Sequence, residues 1–143
     1  MKINIREANA GDIEIIAKIE EATFPNPWSK NALYYQIVED ELSKVFVIEE
    51  DDVVAGYVGF MEIFDEIHIA NVAVDKKFRG RGYGDMLIEK VTKYADENNF
   101  KVTLEVNVSN EVALSLYKKY GFQTEGRRKD YYGIGQDAFI MWR

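Results

Sequence analysis

The apolar positions change period several times along the chain, and each change marks an element. Residues 3–7 (INIRE) alternate like a short strand. Asp12 is then expected to cap a helix whose apolar face uses Ile15, Ile16, Ile19 and Thr23. The segment FPNPW at 24–28 breaks that helix, and Ser29 caps a second one carrying Leu33 and Ile37. Residues 45–49 (VFVIE) and 53–64 (VVAGYVGFMEIF) predict strands joined at the acidic turn Glu50–Asp52. Residues 66–74 (EIHIANVAV) predict another, with Ile67, Ile69, Val72 and Val74 as its apolar set. The parity changes between Ile69 and Val72, which predicts a β-bulge near Ala70–Asn71.

Beyond a glycine-rich stretch, Leu87, Val91, Tyr94 and Ala95 line one side of a helix expected from about Asp85 to Asn98. Residues 101–108 (KVTLEVNV) read as strand. Asn110 caps a helix with Ala113, Leu116, Tyr117 and Tyr120 on one face, and Gly121 ends it. The remainder, through DAFIMW, is expected to be strand. There is no internal repeat and no linker, so the pattern predicts one mixed α/β domain, residues 1–143, around a single sheet.

Composition narrows the function. A chain of 143 residues with 47% apolar content can bury a sizeable core. Eighteen Lys and Arg against 25 Asp and Glu give a formal charge of −7. That balance argues against nucleic acid as the main ligand and suits a basic peptide or a polyamine, or simply solubility. With no cysteine, disulfides, thiolate metal sites and a cysteine nucleophile are excluded, and the lone His68 makes a histidine metal site improbable. No segment reaches the ~18 apolar residues of a membrane span. The sequence reads as that of a cytoplasmic protein.

The stretch FRGRGYGD at 78–85 stands between a predicted strand and a predicted helix. A helix start exposes unpaired N–H groups and the positive end of its dipole. Glycines let the backbone approach an anion closely, and Arg79 and Arg81 are candidates for charge-assisted bonds to it. A glycine cluster alone reads as a mobile turn; the flanking elements favour a pyrophosphate site. The stretch lacks the Gly-Lys-Ser/Thr of a Walker loop, and Asp85 replaces the third glycine of a dinucleotide fingerprint.

Arg79-Gly80-Arg81-Gly82-Tyr83-Gly84 instead resembles the acetyl-coenzyme A motif of the GNAT acetyltransferase superfamily, Gln/Arg-x-x-Gly-x-Gly/Ala. The resemblance covers essentially the whole chain. FPNPWS at 24–29, NVAVD at 71–75, LEVNVSNEVALSLYKKYGF at 104–122 and RRKDYY…DAFIMW at 127–142 make it narrower. Together they resemble the ribosomal-protein-alanine N-acetyltransferases of bacteria and their archaeal N-terminal relatives. The resemblance implies a central twisted mixed sheet flanked by helices, with a bulged strand and splayed parallel strands at the cofactor site. It implies direct transfer of acetyl from acetyl-CoA to a protein N-terminal α-amine, with the N-terminal alanine of a small-subunit ribosomal protein as the expected client. On this resemblance the main chain of Val72, Ala73 and Val74 binds the pantetheine arm and the acetyl carbonyl. Arg79, Gly80, Arg81, Gly82, Tyr83, Gly84 and Asp85 hold the pyrophosphate, and Asn110 contacts the cofactor. Glu105 matches the general base and Tyr117 the general acid.

These residue types suit the chemistry. An α-amine with a pKa near ~8 is about one-tenth neutral at pH 7, whereas a lysine amine near ~10.4 costs roughly 4.6 kcal/mol to deprotonate. A carboxylate acting through water is a modest base, better matched to the α-amine. A tyrosine hydroxyl near ~10 facing a thiol near ~8.5 would transfer its proton uphill by roughly 2 kcal/mol, so Tyr117 is expected chiefly to stabilise the departing thiolate. A backbone N–H near Val72 is a candidate for the oxyanion.

From the residues alone, Tyr117 reads as a core tyrosine and Glu105 as a solvated strand carboxylate; the resemblance moves both to catalysis. His68 stays unassigned. Tyr131 and Tyr132 suit either a substrate groove or packing. Phe24, Pro27 and Trp28 suit either a peptide-admitting loop or a hydrophobic staple. One departure concerns specificity, since relatives of this type commonly carry Arg after Leu-Glu-Val and this chain has Asn107. Alternatives to α-amine acetylation are a lysine or small-amine acetylase, a non-catalytic acetyl-CoA sensor, and a nucleotide-phosphate binder.

Overall fold

A computed structural model describes residues 1–143. The strands are β1 (Ile3–Glu7), β2 (Ser43–Glu50), β3 (Val53–Ile63), β4 (Glu66–Val74), β5 (Lys101–Asn107), β6 (Gln123–Arg128) and β7 (Ala138–Trp142). The helices are α1 (Ile13–Thr23), α2 (Lys30–Tyr34), α3 (Tyr83–Glu97) and α4 (Glu111–Lys119). The strands form one seven-stranded mixed sheet in the order β1-β2-β3-β4-β5-β7-β6, as expected of the mixed α/β class. Two compact units divide the chain: Met1–Glu62 with Ala70–Leu87, and Ile63–Ile69 with Ile88–Arg143. No helix is long and apolar enough to cross a membrane.

In the first unit, β1, β2 and β3 form an antiparallel meander. Its β2–β3 turn uses Asp51 and Asp52 at positive φ, a conformation that suits the right-handed twist of a hairpin and that aspartate tolerates. Ile16, Ala17 and Ile19 of α1 pack with Leu33, Val45, Val47, Tyr57 and Ala73. Each large side chain in such a core stabilises by roughly 1.5–3 kcal/mol. The buried arc of α1 is Ile16, Ala17, Ile19 and Glu20, rotated from the expected face because Ile15 lies only partly buried beside it.

Two local expectations are corrected. Asn9, not Asp12, provides the cap before α1. The Asn9 side chain accepts from Gly11 N, while the Asp12 carboxylate accepts from Asn9 N and pairs in bidentate fashion with Arg6 at 2.8 and 2.9 Å. The Arg6 hydrogen bond holds the Asp12 carboxyl below its ordinary value, against the opposing effect of burial. The second helix also ends its α geometry at Tyr34. It continues as a wider π turn over Tyr35–Glu39, closed by Asp40 N to Tyr35 O at 2.7 Å, which buries Gln36. Ser29 caps α2 as expected, accepting from Ala32 N.

In the second unit, β4 pairs in parallel with β5 over Glu66–His68 against Lys101–Thr103. All of β5 from Thr103 to Asn107 pairs antiparallel with β7, which pairs with β6 across an irregularity at Thr124–Gly126. Asn110 caps α4 by accepting from Ala113 N at 3.1 Å, and Gly121 ends it at φ +90°. Burial along β4 falls on Ile67 and Ala73, with Val72 and Val74 only partly covered, so the apolar set differs from the one read from hydrophobicity.

Candidate active site

Residues predicted for the site fall in both units. In the first, β4 carries Val72, Ala73 and Val74. Gly56 of β3 lets the neighbouring backbone approach, because a Cβ there would lie 2.7 Å from Ala73 O. Asp75 N donates to Ala55 O at 2.7 Å and fixes the strand end. A short 3₁₀ turn over Lys76–Phe78 leads into the glycine stretch, capped by Asp75.

Gly80 and Gly82 both stand at φ +81°, with nothing within 4 Å of the position a Cβ would take. This backbone is one that L side chains rarely adopt, so glycine is required here for conformation. Helix α3 begins at Tyr83, two residues before the start expected from sequence, which puts Tyr83, Gly84 and Asp85 in its first turn. The first N–H groups of a helix have no intrahelical acceptor and present the positive end of its dipole.

Both arginines have protein partners. Arg79 Nε donates to Val74 O at 3.1 Å. Arg81 pairs with the Glu50 carboxylate, which also accepts from the Tyr83 hydroxyl. The Tyr83 hydroxyl and the Arg81 guanidinium hold Glu50 below its ordinary carboxyl value. These contacts rigidify the loop around its glycines. The loop fits an anion chiefly through its backbone: two left-handed glycines with open space above them, running into a helix start.

In the second unit, Glu105 lies on β5 and Tyr117 on α4. The Glu105 Oε2 atom is buried and has no hydrogen-bond partner, while Oε1 lies 3.8 Å from Nη2 of Arg128. The Glu105 carboxylate beside it, ahead of burial, raises the pKa of Tyr131. Tyr132 is pushed up to about 12 by burial, with the Tyr131 and Glu105 charges adding to it. Tyr117 is 6% exposed, and its ring meets that of Phe122 at 5.7 Å. Burial, then Tyr132, pushes its hydroxyl up to about 12, so it is a proton-bearing donor throughout the neutral range. Glu105, Tyr131, Tyr132 and Tyr117 are thus neighbours in series, each tyrosine raised in part by the group beside it. An unpartnered buried carboxylate oxygen is rare and marks a place for a donor such as water or an amine.

Asn107 is engaged locally. Its amide donates to Gln136 Oε1 at 3.0 Å, and its carbonyl oxygen accepts from Ser109 N and Ser109 Oγ. His68 pairs with Glu66 at 2.9 Å and meets the Trp142 ring edge-on. Glu50, Gly56 and Glu20 were missed in the sequence. Glu20 left a signal there, since it occupies position i+4 from Ile16 on the apolar face of α1.

The family model described as the acetyltransferase (GNAT) family matches residues 13–122. This chain belongs to the GNAT acetyltransferase family. It is 37% identical over 143 residues to a Bacillus subtilis protein carrying the provisional name of a ribosomal protein bS18-alanine N-acetyltransferase, covering 99% of this chain and 95% of that one. It is 34% identical to an N-alpha-acetyltransferase of Sulfurisphaera tokodaii, covering 96% and 90%. The crystal structure of the Escherichia coli ribosomal-protein-S18-alanine N-acetyltransferase superposes with a TM-score of 0.90 at 25% identity, covering 99% of this chain and 92% of that one. Members of this GNAT family use acetyl-CoA as donor, and the chain is an N-acetyltransferase.

Proposed function

We propose that this GNAT chain, acting as one catalytic domain, acetylates a protein N-terminal α-amine, with the N-terminal alanine of a small-subunit ribosomal protein as client. The observation that carries the reading is the pairing of chemistries on this chain: a backbone anion site at Gly80–Asp85, and, on β5 and α4, a buried, unpartnered Glu105 oxygen and the buried, proton-bearing Tyr117. The names of its relatives support the choice of client.

Acetyl-CoA, when bound, supplies an acetyl group activated as a thioester. The N–H groups opening α3 and the Gly80–Gly82 backbone would hold its pyrophosphate, while the main chain of Val72–Val74 would hold its pantetheine arm and carbonyl. Asn110, whose Oδ1 caps α4, would contact the cofactor through its remaining amide. Arg79 and Arg81 act mainly by shaping the loop, since their guanidinium groups already bond Val74 and Glu50. Overall, the amine nitrogen replaces sulfur on the acetyl carbon and loses one proton. Glu105 takes up that proton through water at Oε2. The Tyr117 hydroxyl donates a hydrogen bond to the departing sulfur. With the hydroxyl at about 12 and a thiol near ~8.5, complete transfer from tyrosine to thiolate would be uphill by roughly 4.8 kcal/mol. Tyr117 therefore stabilises negative charge on sulfur, and solvent completes the protonation.

Calorimetry against acetyl-CoA, ATP and NAD, followed by thiol release on adding an alanine-first peptide, tests the reading. Micromolar binding of acetyl-CoA alone and peptide-dependent thiol release are expected. Preference for ATP or NAD, or binding without turnover, would refute it.

A further inference from the structure

Glu20 is completely buried, although a carboxylate without a counter-ion is costly in a protein interior. Both of its oxygens accept from neutral amide donors. Oε1 takes the Trp28 backbone N–H at 2.8 Å, and Oε2 takes the Asn71 side-chain amide at 3.0 Å. An apolar residue would fill the same space, so what the carboxylate adds is the joining of three segments: α1, the loop after it, and β4.

The loop contact is double. The Glu20 carbonyl accepts from Phe24 N at 2.9 Å, so one residue secures both ends of Phe24–Trp28. The Phe24 and Trp28 rings pack on the α1–β2–β3 core, while Pro25, Asn26 and Pro27 are exposed. Two prolines fix φ within this short span, leaving little slack between the anchored ends. On the other side, Asn71 immediately precedes Val72–Val74.

We propose that Glu20 is a positioning residue for acetyl transfer: its buried carboxylate fixes the Phe24–Trp28 loop and, through Asn71, the start of the Val72–Val74 strand. The loop that admits the peptide and the strand that holds the donor then keep one fixed relation. This rests on the functional reading above, in which Val72–Val74 holds the donor, and takes for Phe24–Trp28 the first of the two roles its sequence suits, that of a peptide-admitting loop.

Two double variants separate positioning from plain stability. In Glu20→Gln/Asn71→Asp, the glutamine accepts from Trp28 N–H and donates to the new carboxylate, so both hydrogen bonds survive. In Glu20→Met/Asn71→Leu, the polar pair becomes an apolar one, an exchange that is often nearly neutral for stability. The polar exchange is expected to keep kcat/KM for an alanine-first peptide within about threefold of wild type. The apolar exchange is expected to melt near wild type yet raise peptide KM about tenfold or more and weaken acetyl-CoA binding several-fold by calorimetry. Wild-type KM and acetyl-CoA affinity in the apolar variant would overturn the proposal, as would equal impairment in both variants. If the apolar variant does not fold, Asn71→Ala retains the Trp28 bond and is expected to raise peptide KM several-fold; an unchanged KM overturns the proposal. A wild-type protein that binds acetyl-CoA but leaves the peptide unmodified would refute the α-amine reading instead, and acetyl-CoA affinity across the same variants would still decide the role of Glu20.

Discussion

Replacing Tyr117 with phenylalanine isolates the hydroxyl from the ring. The ring is 6% exposed and packs 5.7 Å from Phe122, so phenylalanine retains the burial and the aromatic contact, and stability should change by less than about 1 kcal/mol. The change removes one hydrogen bond to a sulfur that gains negative charge in the transition state. Hydrogen bonds to charged groups contribute about 1.5–3 kcal/mol, which corresponds to a fall in kcat of about 10- to 150-fold. Because the ground-state thioester carries no such charge, acetyl-CoA affinity should stay within about twofold. The assay is thiol release at saturating acetyl-CoA and alanine-first peptide, with calorimetry of acetyl-CoA in parallel. The pH dependence adds a second constraint. With its pKa pushed up to about 12, Tyr117 stays protonated across the working range, so the ratio of wild-type to variant kcat should be flat between about pH 6 and 10. An unchanged kcat in the variant would refute this role for Tyr117, and a ratio that collapses near pH 8 would refute the assigned protonation state.

Glu105→Gln should lower kcat/KM by about a hundredfold or more near pH 7, with partial recovery above about pH 9 where the α-amine is already neutral; a pH-independent deficit would argue against base catalysis. Gly82→Ala forces a side chain into φ +81° and should raise the acetyl-CoA Kd at least about fivefold while lowering the melting temperature by a few degrees, whereas wild-type affinity would remove the loop from the donor site. Gly56→Ala would place a Cβ 2.7 Å from Ala73 O and should cost about 1–3 kcal/mol, seen as a melting point lower by several degrees; an unchanged Tm would contradict that packing. Glu20 has a pKa raised chiefly by burial. Its protonated form therefore stabilises the fold at acid pH, and that contribution is lost as pH rises from about 4.5 through the elevated value. The stability of wild type relative to Glu20→Gln should accordingly fall as pH rises above about 4.5, and a rising difference would contradict the assignment.

Much of the fold was legible because its elements carry strong periodic signals. The Ser29 and Asn110 caps, the Gly121 terminus and the acidic β2–β3 turn stand where local chemistry requires them. The start of α1 was misread because two candidate caps, Asn9 and Asp12, lie three residues apart. Only the distant Arg6 decides that Asp12 serves an ion pair and Asn9 the cap. The π turn at Tyr35–Glu39 has no hydrophobic period of its own to announce it. In the site, the glycine stretch was legible because its residues are contiguous and glycine is conformationally specific. The partners of Arg79 and Arg81 were not, since a guanidinium reads as free charge until the fold supplies Glu50 or Val74 O. Glu20 was missed for the same reason. Its donors lie 8 and 51 residues away, and only tertiary packing turns an acidic residue on an apolar face into a clamp.

The central claim is transfer to an α-amine, and paired peptides test it most directly. One peptide begins with alanine bearing a free N-terminus and contains no lysine. The other has the same sequence with a blocked N-terminus and one internal lysine. Mass spectrometry after incubation with acetyl-CoA should find a single acetyl group on the first peptide and essentially none on the second. Acetylation of the blocked, lysine-bearing peptide in preference to the free one would contradict the account.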